Sequence, residues 1–306
     1  MNLKRAIFGP LLSVVFLMLF VYAIYGVQQV FNNFPSSAVS ASFLNGAENA
    51  VPQNATENSV KPIVVAPEIN AKSAISVESN LDNANNIIFD KDSNVQLPIA
   101  SLTKLMTAVI VLDNYKLSDA VTIDKVADSQ DAEKQDVKFG DKMPVENFLY
   151  IMLVGSSNKS AYALSELMGE PKFVGLMNQK AKDLGLQNTF FADPTGLSPE
   201  NVSTAGDLAK LAEYILKNYP LIADISKVKE FDIPGFGIFK NTDELLSELP
   251  DAICSKTGFT NAVNGCLLLA INNPKNNDYL INIILGADDR FAEMRKLIDW
   301  SSATCK

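Results

Sequence analysis

The 306 residues of this chain include no histidine. That absence excludes Ser-His-Asp and Cys-His nucleophilic catalysis, the His-Glu-x-x-His zinc motif and most other zinc hydrolase sites. Any hydrolytic chemistry must take its base from a lysine, a carboxylate or an N-terminal amine. Cysteine is scarce as well: Cys254, Cys266 and Cys305 are too few for a disulfide framework and lack metal-ligand spacing. Buried thiols are expected, although Cys254 and Cys266 could lie on neighbouring strands. No metal and no cofactor is expected. The formal charge is −9 without a long basic run, which argues against nucleic acid as a partner.

From Ala6 to Val27 there is no charged residue, and Lys4 and Arg5 precede the run. Such a stretch is long enough to span a bilayer, with its positive flank in the cytoplasm. A cleaved signal peptide is the competing reading, with Val21-Tyr22-Ala23 or Val39-Ser40-Ala41 as cut sites. In both cases the remainder is exported. From Gln28 to about Asn70 the sequence is rich in Asn, Ser, Ala and Pro without a sustained period, as in a flexible tether. The expected organisation is a cytoplasmic N-terminus at 1–5, a membrane anchor or signal peptide at 6–27, a linker at 28–70 and a folded domain at 71–306.

Within that domain, Ala74–Glu78 and Asn86–Phe89 have the pattern of a short hairpin. Val145–Val154 is a strongly apolar helix that stops at Gly155, and Ser156-Ser157-Asn158 reads as a loop before another helix. An amphipathic helix over 204–216 is capped by Ser203 or Thr204. After Pro250 three strands are expected (Ala252–Thr257, Gly265–Asn272, Tyr279–Ala287), then a closing helix from Arg290 to Ser301. Hairpin, helices, three strands and a final helix make an α+β fold, an antiparallel sheet flanked by helices.

The stretch Pro98-Ile-Ala-Ser-Leu-Thr-Lys-Leu-Met-Thr-Ala108 runs into an almost wholly apolar helix, and Pro98 sits just upstream, where a helix begins more easily than it continues. Residues three apart share a helix face, so the Ser101 hydroxyl and the Lys104 amine can meet. A buried lysine beside the positive end of a helix should lose its proton readily, and a neutral amine can accept the serine's proton. Alone, Ser-x-x-Lys more often marks a helix cap with a solvated lysine. Two further triplets change its weight: Ser156-x-Asn158 and Lys256-Thr257-Gly258. The trio, in this order, is that of penicillin-binding proteins and class A β-lactamases.

Around these motifs the chain resembles the serine D-alanyl-D-alanine carboxypeptidases, the low-molecular-mass penicillin-binding proteins of peptidase family S11. The resemblance covers about Ala71 to Trp300 and includes Leu153-Val-Gly-Ser-Ser-Asn158, Phe191-Ala-Asp-Pro-Thr-Gly-Leu197 with Ser203-Thr-Ala-Gly-Asp-Leu208, and Lys256-Thr-Gly-Phe-Thr260. It implies a β-lactamase/transpeptidase-like fold with Lys256-Thr257-Gly258 on an edge strand facing Ser101. It further implies Ser101 as acylated nucleophile, Lys104 as its base and Ser156 as proton relay to the leaving amine. Asn158 would hold the substrate amide and orient Lys104, and Lys256 and Thr257 would take the terminal carboxylate. The backbone N–H groups of Ser101 and Phe259, beside Gly258, would form the oxyanion hole. Two departures stand out: Lys159 follows the Ser-x-Asn element where an acidic residue is common, implying a changed cleft charge, and Asn261–Gly265 is about one residue longer.

The implied partners are a peptidoglycan stem peptide ending in D-Ala-D-Ala, β-lactams as covalent inhibitors, and the membrane through the N-terminal helix. A DD-endopeptidase cutting cross-links would use the same residues. A β-lactamase of class A needs a Glu-x-x-Leu-Asn element, and the nearest stretch, Glu200-Asn-Val-Ser-Thr204, ends in other residues. A non-catalytic β-lactam-sensing or wall-binding module has no physical need for all of Ser101, Lys104, Ser156, Asn158 and Lys256.

Overall fold

A computed structural model of the protein describes residues 65–80, 86–131, 137–276 and 278–305. The expected anchor at 6–27 and the linker up to residue 64 lie outside the described residues. No helix among the described residues is long and apolar enough to cross a membrane.

The described chain opens with strands β1 (Ser73–Ser79) and β2 (Asn86–Lys91), then a two-residue strand β3 (Leu97–Pro98). After a single 3₁₀ turn at Ala100–Leu102 comes helix α1 (Thr103–Asn114), then β4 (Ala120–Thr122), the one-turn helix α2 (Lys125–Asp128) and β5 (Lys142–Pro144). A helical stretch follows: α3 (Val145–Val154), α4 (Asn158–Glu166) and α5 (Glu170–Asp183). Strand β6 (Val202–Ser203) leads into α6 (Ala205–Asn218) and α7 (Pro220–Ser226), and β7 (Glu230–Ile233) with β8 (Gly237–Lys240) form a small hairpin. The chain closes with β9 (Ala252–Thr260), β10 (Asn264–Asn272), β11 (Tyr279–Ala287) and α8 (Arg290–Thr304).

Among the described residues the main sheet has five strands in the order β2-β1-β11-β10-β9, antiparallel throughout. The strand carrying Lys256-Thr257-Gly258 is therefore an edge, as expected. Side chains alternate across a strand, so β10 and β11 feed two cores. Leu268, Ala270, Ile281 and Ile283 face the larger cluster under α1, α3 and α6. Leu267, Leu269, Leu280 and Ile284 face Met294, Leu297 and Ile298 of α8. Each fully buried Leu or Ile contributes about 1.5–3 kcal/mol, and helices on both faces explain why these strands are apolar almost without interruption. Ile69 is already packed into the second cluster, and its carbonyl accepts from Lys91 Nζ at 2.6 Å.

Helix α1 runs through the middle of the larger core, buried from Thr103 to Val111. Pro98 lies just upstream of that helix, as expected: Leu97 and Pro98 pair with Ser203 and Val202, and the helix starts at Thr103. The fixed φ of proline suits the strand as well as a helix start, and tertiary pairing decides between them. The cysteines are buried free thiols, and Cys254 lies opposite Ala270, four rungs from Cys266 on β10, so those two do not face each other.

Candidate active site

Ser101 lies on the 3₁₀ turn that links β3 to α1. The turn is held from behind by Ile99, whose N–H donates to Asn201 O at 3.0 Å, and Leu102 N–H donates back to Ile99 O. Ala100 is forced to φ 47°, a left-handed conformation that costs a residue with a side chain on the order of 1 kcal/mol. Two glycines make room for this turn. A Cβ on Gly196 (φ +90°) would stand 2.0 Å from Ala100 O, and one on Gly258 would stand 3.1 Å from both Ile99 O and Ser101 N. The Gly196 loop and the edge strand thus press directly on the backbone that carries Ser101.

Lys104, one turn further on, is completely buried. Its Nζ lies 2.8 Å from Ser101 Oγ, 2.7 Å from Asn158 Oδ1 and 2.6 Å from the carbonyl of Thr195. Asn158 is the first residue of α4, and its Nδ2 donates to Asp131 O at 2.8 Å, which determines which end of the amide faces the lysine. Ser157 caps that helix by accepting from Ser160 N–H, and Ser156 before it turns the chain at φ 60°. On the opposite wall Lys256 is 1% exposed, and its Nζ donates to Ser156 Oγ at 2.9 Å and to Thr257 O. Two serines from separate segments therefore each meet one buried lysine across a single cleft of about 150 Å³.

The chain matches the family model of peptidase S11, D-alanyl-D-alanine carboxypeptidase, over residues 60–289. It belongs to peptidase family S11. It is 34% identical over 263 residues to a D-alanyl-D-alanine endopeptidase of Escherichia coli K12, covering 81% of this chain and 83% of that one. It is 32% identical over 247 residues to the D-alanyl-D-alanine carboxypeptidase DacF of Bacillus subtilis, covering 76% of this chain and 62% of DacF. Among solved structures, a D-alanyl-D-alanine carboxypeptidase of Mycobacterium tuberculosis H37Rv superposes with a TM-score of 0.70 at 28% identity, over 78% of this chain and 93% of that one. Penicillin-binding protein 5 of Haemophilus influenzae gives 0.72 at 27% identity, over 78% and 72%. The fold is that of the penicillin-binding proteins, and the chain is a hydrolase of the DD-peptidase type.

Around this S11 centre stand residues that motif spacing alone does not single out. Arg290, at the start of α8, lines the cleft with Thr242, Thr257 and Thr260. Burial pushes its guanidinium below the ordinary arginine value, while its aliphatic stem lies against Gly265 and its head over the Phe291 ring at 4.6 Å. Thr242 Oγ1 and Thr257 Oγ1 share a hydrogen bond, so the threonine of the Lys-Thr-Gly strand is oriented by a residue from the β8–β9 connection. Beneath them Asp243 accepts from Ser255 Oγ and Leu245 N–H; burial raises its carboxyl, with Arg290 and Lys256 nearby pulling the other way. Lys256 itself is buried against Ser156, whereas Arg290 is among the residues that line the cleft. Phe259 is 59% exposed on the rim.

Asp193, inside the Asp-Pro-Thr-Gly-Leu run, is a further residue whose role motif spacing does not single out. Its Oδ1 accepts from Thr195 N–H, Thr195 Oγ1 and Gly196 N–H at 2.6–2.7 Å, and its Oδ2 accepts from Ser198 N–H and Asn201 Nδ2 at 2.8 Å. Burial works to raise this carboxyl, but the donors from Thr195, Ser198 and Gly196 outweigh it and hold it below the usual range. The folded loop presents Thr195 O to Lys104 and Pro194 O to Thr107 Oγ1. The expectation for Lys159 is corrected: its Nζ turns away to Asp128 Oδ1 at 2.8 Å, and it does not line the cleft.

Proposed function

We propose that this S11 peptidase acts as a serine D-Ala-D-Ala carboxypeptidase, with Ser101 as nucleophile and Lys104 as its base. The observation that carries the assignment is the contact of the buried Lys104 Nζ with Ser101 Oγ at 2.8 Å, with Asn158 Oδ1 and Thr195 O at 2.7 and 2.6 Å from the same nitrogen. In its neutral form that amine carries a lone pair, which can accept the serine's proton. Ser101 Oγ attacks the carbonyl carbon between two terminal D-alanines as its proton passes to Lys104. The oxyanion is received by the N–H groups of Ser101 and Phe259, where loss of one donor typically costs about 100- to 1000-fold. Ser156, held by Lys256, delivers a proton to the departing D-alanine amine, and water then cleaves the acyl ester. Asn158 meets the substrate amide, and Lys256 supplies positive charge behind Thr257.

The substrate's terminal carboxylate falls to Thr257 and the guanidinium of Arg290, which can grip it bidentately. β-Lactams present the same carboxylate beside a strained amide, so they are expected to trap Ser101 as an ester. A second reading, a DD-endopeptidase acting on peptidoglycan cross-links, is favoured by the 34% identity to the Escherichia coli endopeptidase. The chain is further proposed to work outside the cytoplasmic membrane, tethered through Ala6–Val27 and the linker at 28–70, with the catalytic domain at 71–306. N-terminal mass measurement on membrane fractions tests the tether.

A fluorescent penicillin should label the wild-type protein and leave Ser101→Ala unlabelled. D-Alanine release from a pentapeptide, measured beside cleavage of a cross-linked dimer, separates the two peptidase readings. Labelling of Ser101→Ala would overturn the nucleophile, and labelling without release of either product would overturn the enzyme.

A further inference from the structure

We infer that the Lys159–Asp128 ion pair is a positioning device for the proton acceptor of Ser101, acting through the side-chain amide of Asn158. The inference rests on the catalytic reading above and adds to it a pair that touches no substrate. An asparagine amide has nearly the same shape when turned over. Turned over, Asn158 would point its NH₂ at Lys104, donate to the amine's lone pair and compete with the Ser101 hydroxyl for it. What opposes that flip is the Asp131 carbonyl, which accepts from Nδ2 at 2.8 Å and would repel Oδ1 in the same place.

Asp131 is placed by the short segment that precedes it. It lies three residues past helix α2, a single turn of four residues in which only Ala127 is buried. A turn that short does not persist through its own hydrogen bonds. The Asp124 cap to Ala127 N–H closes the turn locally without fastening it to the rest of the domain. Ala127 packs into the main core and Phe139 N–H donates to the Asp128 carboxyl; Lys159 adds an ionic tie. It is the residue next to Asn158 on α4, its side chain is only 14% exposed, and its Nζ reaches Asp128 Oδ1 at 2.8 Å. Consecutive residues of α4 thus hold the α2 segment twice, Lys159 by charge and Asn158 through the Asp131 carbonyl. The lysine holds the Asp128 carboxyl below the usual range, chiefly by its hydrogen bond.

The test measures acylation of the full chain by a fluorescent penicillin, with the concentration dependence separating the first-order acylation constant from non-covalent binding. Lys159→Met and Asp128→Asn should each slow the acylation constant about two- to fivefold, the scale of a partly exposed ion pair, with binding unchanged. The double variant should be no slower than either single one, because the pair acts as a unit. Lys159→Arg should keep the wild-type constant. Raising NaCl to about 1 M, where the screening length is roughly 3 Å, should slow the wild type toward the neutralised variants and leave those unchanged. The salt arm needs no substitution and stands even if a variant folds poorly. Wild-type acylation in the neutralised variants, additive losses in the double, or losses in binding alone would overturn the proposal. A wild-type protein that is not acylated at all would instead defeat the catalytic reading.

Discussion

Replacing Asp193 with asparagine tests whether one buried carboxylate organises the wall against which Lys104 is held. The substitution is nearly isosteric but exchanges one acceptor oxygen for an NH₂. If the remaining oxygen stays at the Oδ1 position, the three donors from Thr195 and Gly196 are kept. The NH₂ then faces Ser198 N–H and Asn201 Nδ2, donor against donor. Asn201 cannot relieve this by turning over, because its Oδ1 already accepts from Ala192 N–H and Asp193 N–H. At least two charge-assisted bonds are lost at about 1.5–3 kcal/mol each, a total of roughly 3–6 kcal/mol. Relaxation of a half-buried loop would bring that to about 3 kcal/mol. In a domain of this size, 1 kcal/mol moves Tm by about 2–4 °C, so a drop of roughly 6–12 °C is expected. Penicillin acylation should fall with it, since Thr195 O would no longer be presented to Lys104. The carboxyl is depressed in the fold, so its contribution is full above the unfolded value near 4 and is lost as pH falls through the lower folded value. Asp193→Asn should lack that acid-limb destabilisation. A variant melting within about 2 °C of wild type and acylating within twofold of it would refute the reasoning.

Two further substitutions probe the cleft from other sides. Arg290→Gln removes the guanidinium of this cleft-lining residue, and KM for a pentapeptide with a free carboxylate should rise about ten- to a hundredfold with kcat little altered; an unchanged kcat/KM would remove Arg290 from carboxylate recognition. Gly196→Ala places a methyl 2.0 Å from Ala100 O at a φ of +90°, so soluble yield, Tm and penicillin labelling should all collapse. Wild-type melting of that variant would show that the loop does not press on the Ser101 turn.

Much of the fold is legible along the chain because the signals are local. Val145–Val154 ends at Gly155 as periodicity and a stop residue require, and Thr204 caps α6 by accepting from Asp207 N–H. The three closing strands appear within a few residues of their expected ends, since long apolar runs with turn residues between them admit few alternatives. Pro98 shows where local signals stop: its place in a two-residue strand is decided by Val202, about a hundred residues away. The small β7–β8 hairpin and the one-turn α2 carry too little periodic signal to be seen in advance.

The chain's order of residues, taken alone, determined the chemistry available to this protein: no histidine, one lysine three residues from a serine and another next to a threonine, and three triplets in order. A hydroxyl–amine pair three residues apart is a local matter of helical geometry, so Ser101 and Lys104 could be paired on paper. Only the tertiary structure decided that Lys256 is buried against Ser156 while Arg290 lines the cleft, that Lys159 turns to Asp128, and that Asp193 shapes the loop whose carbonyl receives Lys104. Those contacts span from two to a hundred residues of sequence and depend on which backbone carbonyls and amides the packed elements leave facing inward, a property that belongs to the assembled layers and to no single segment.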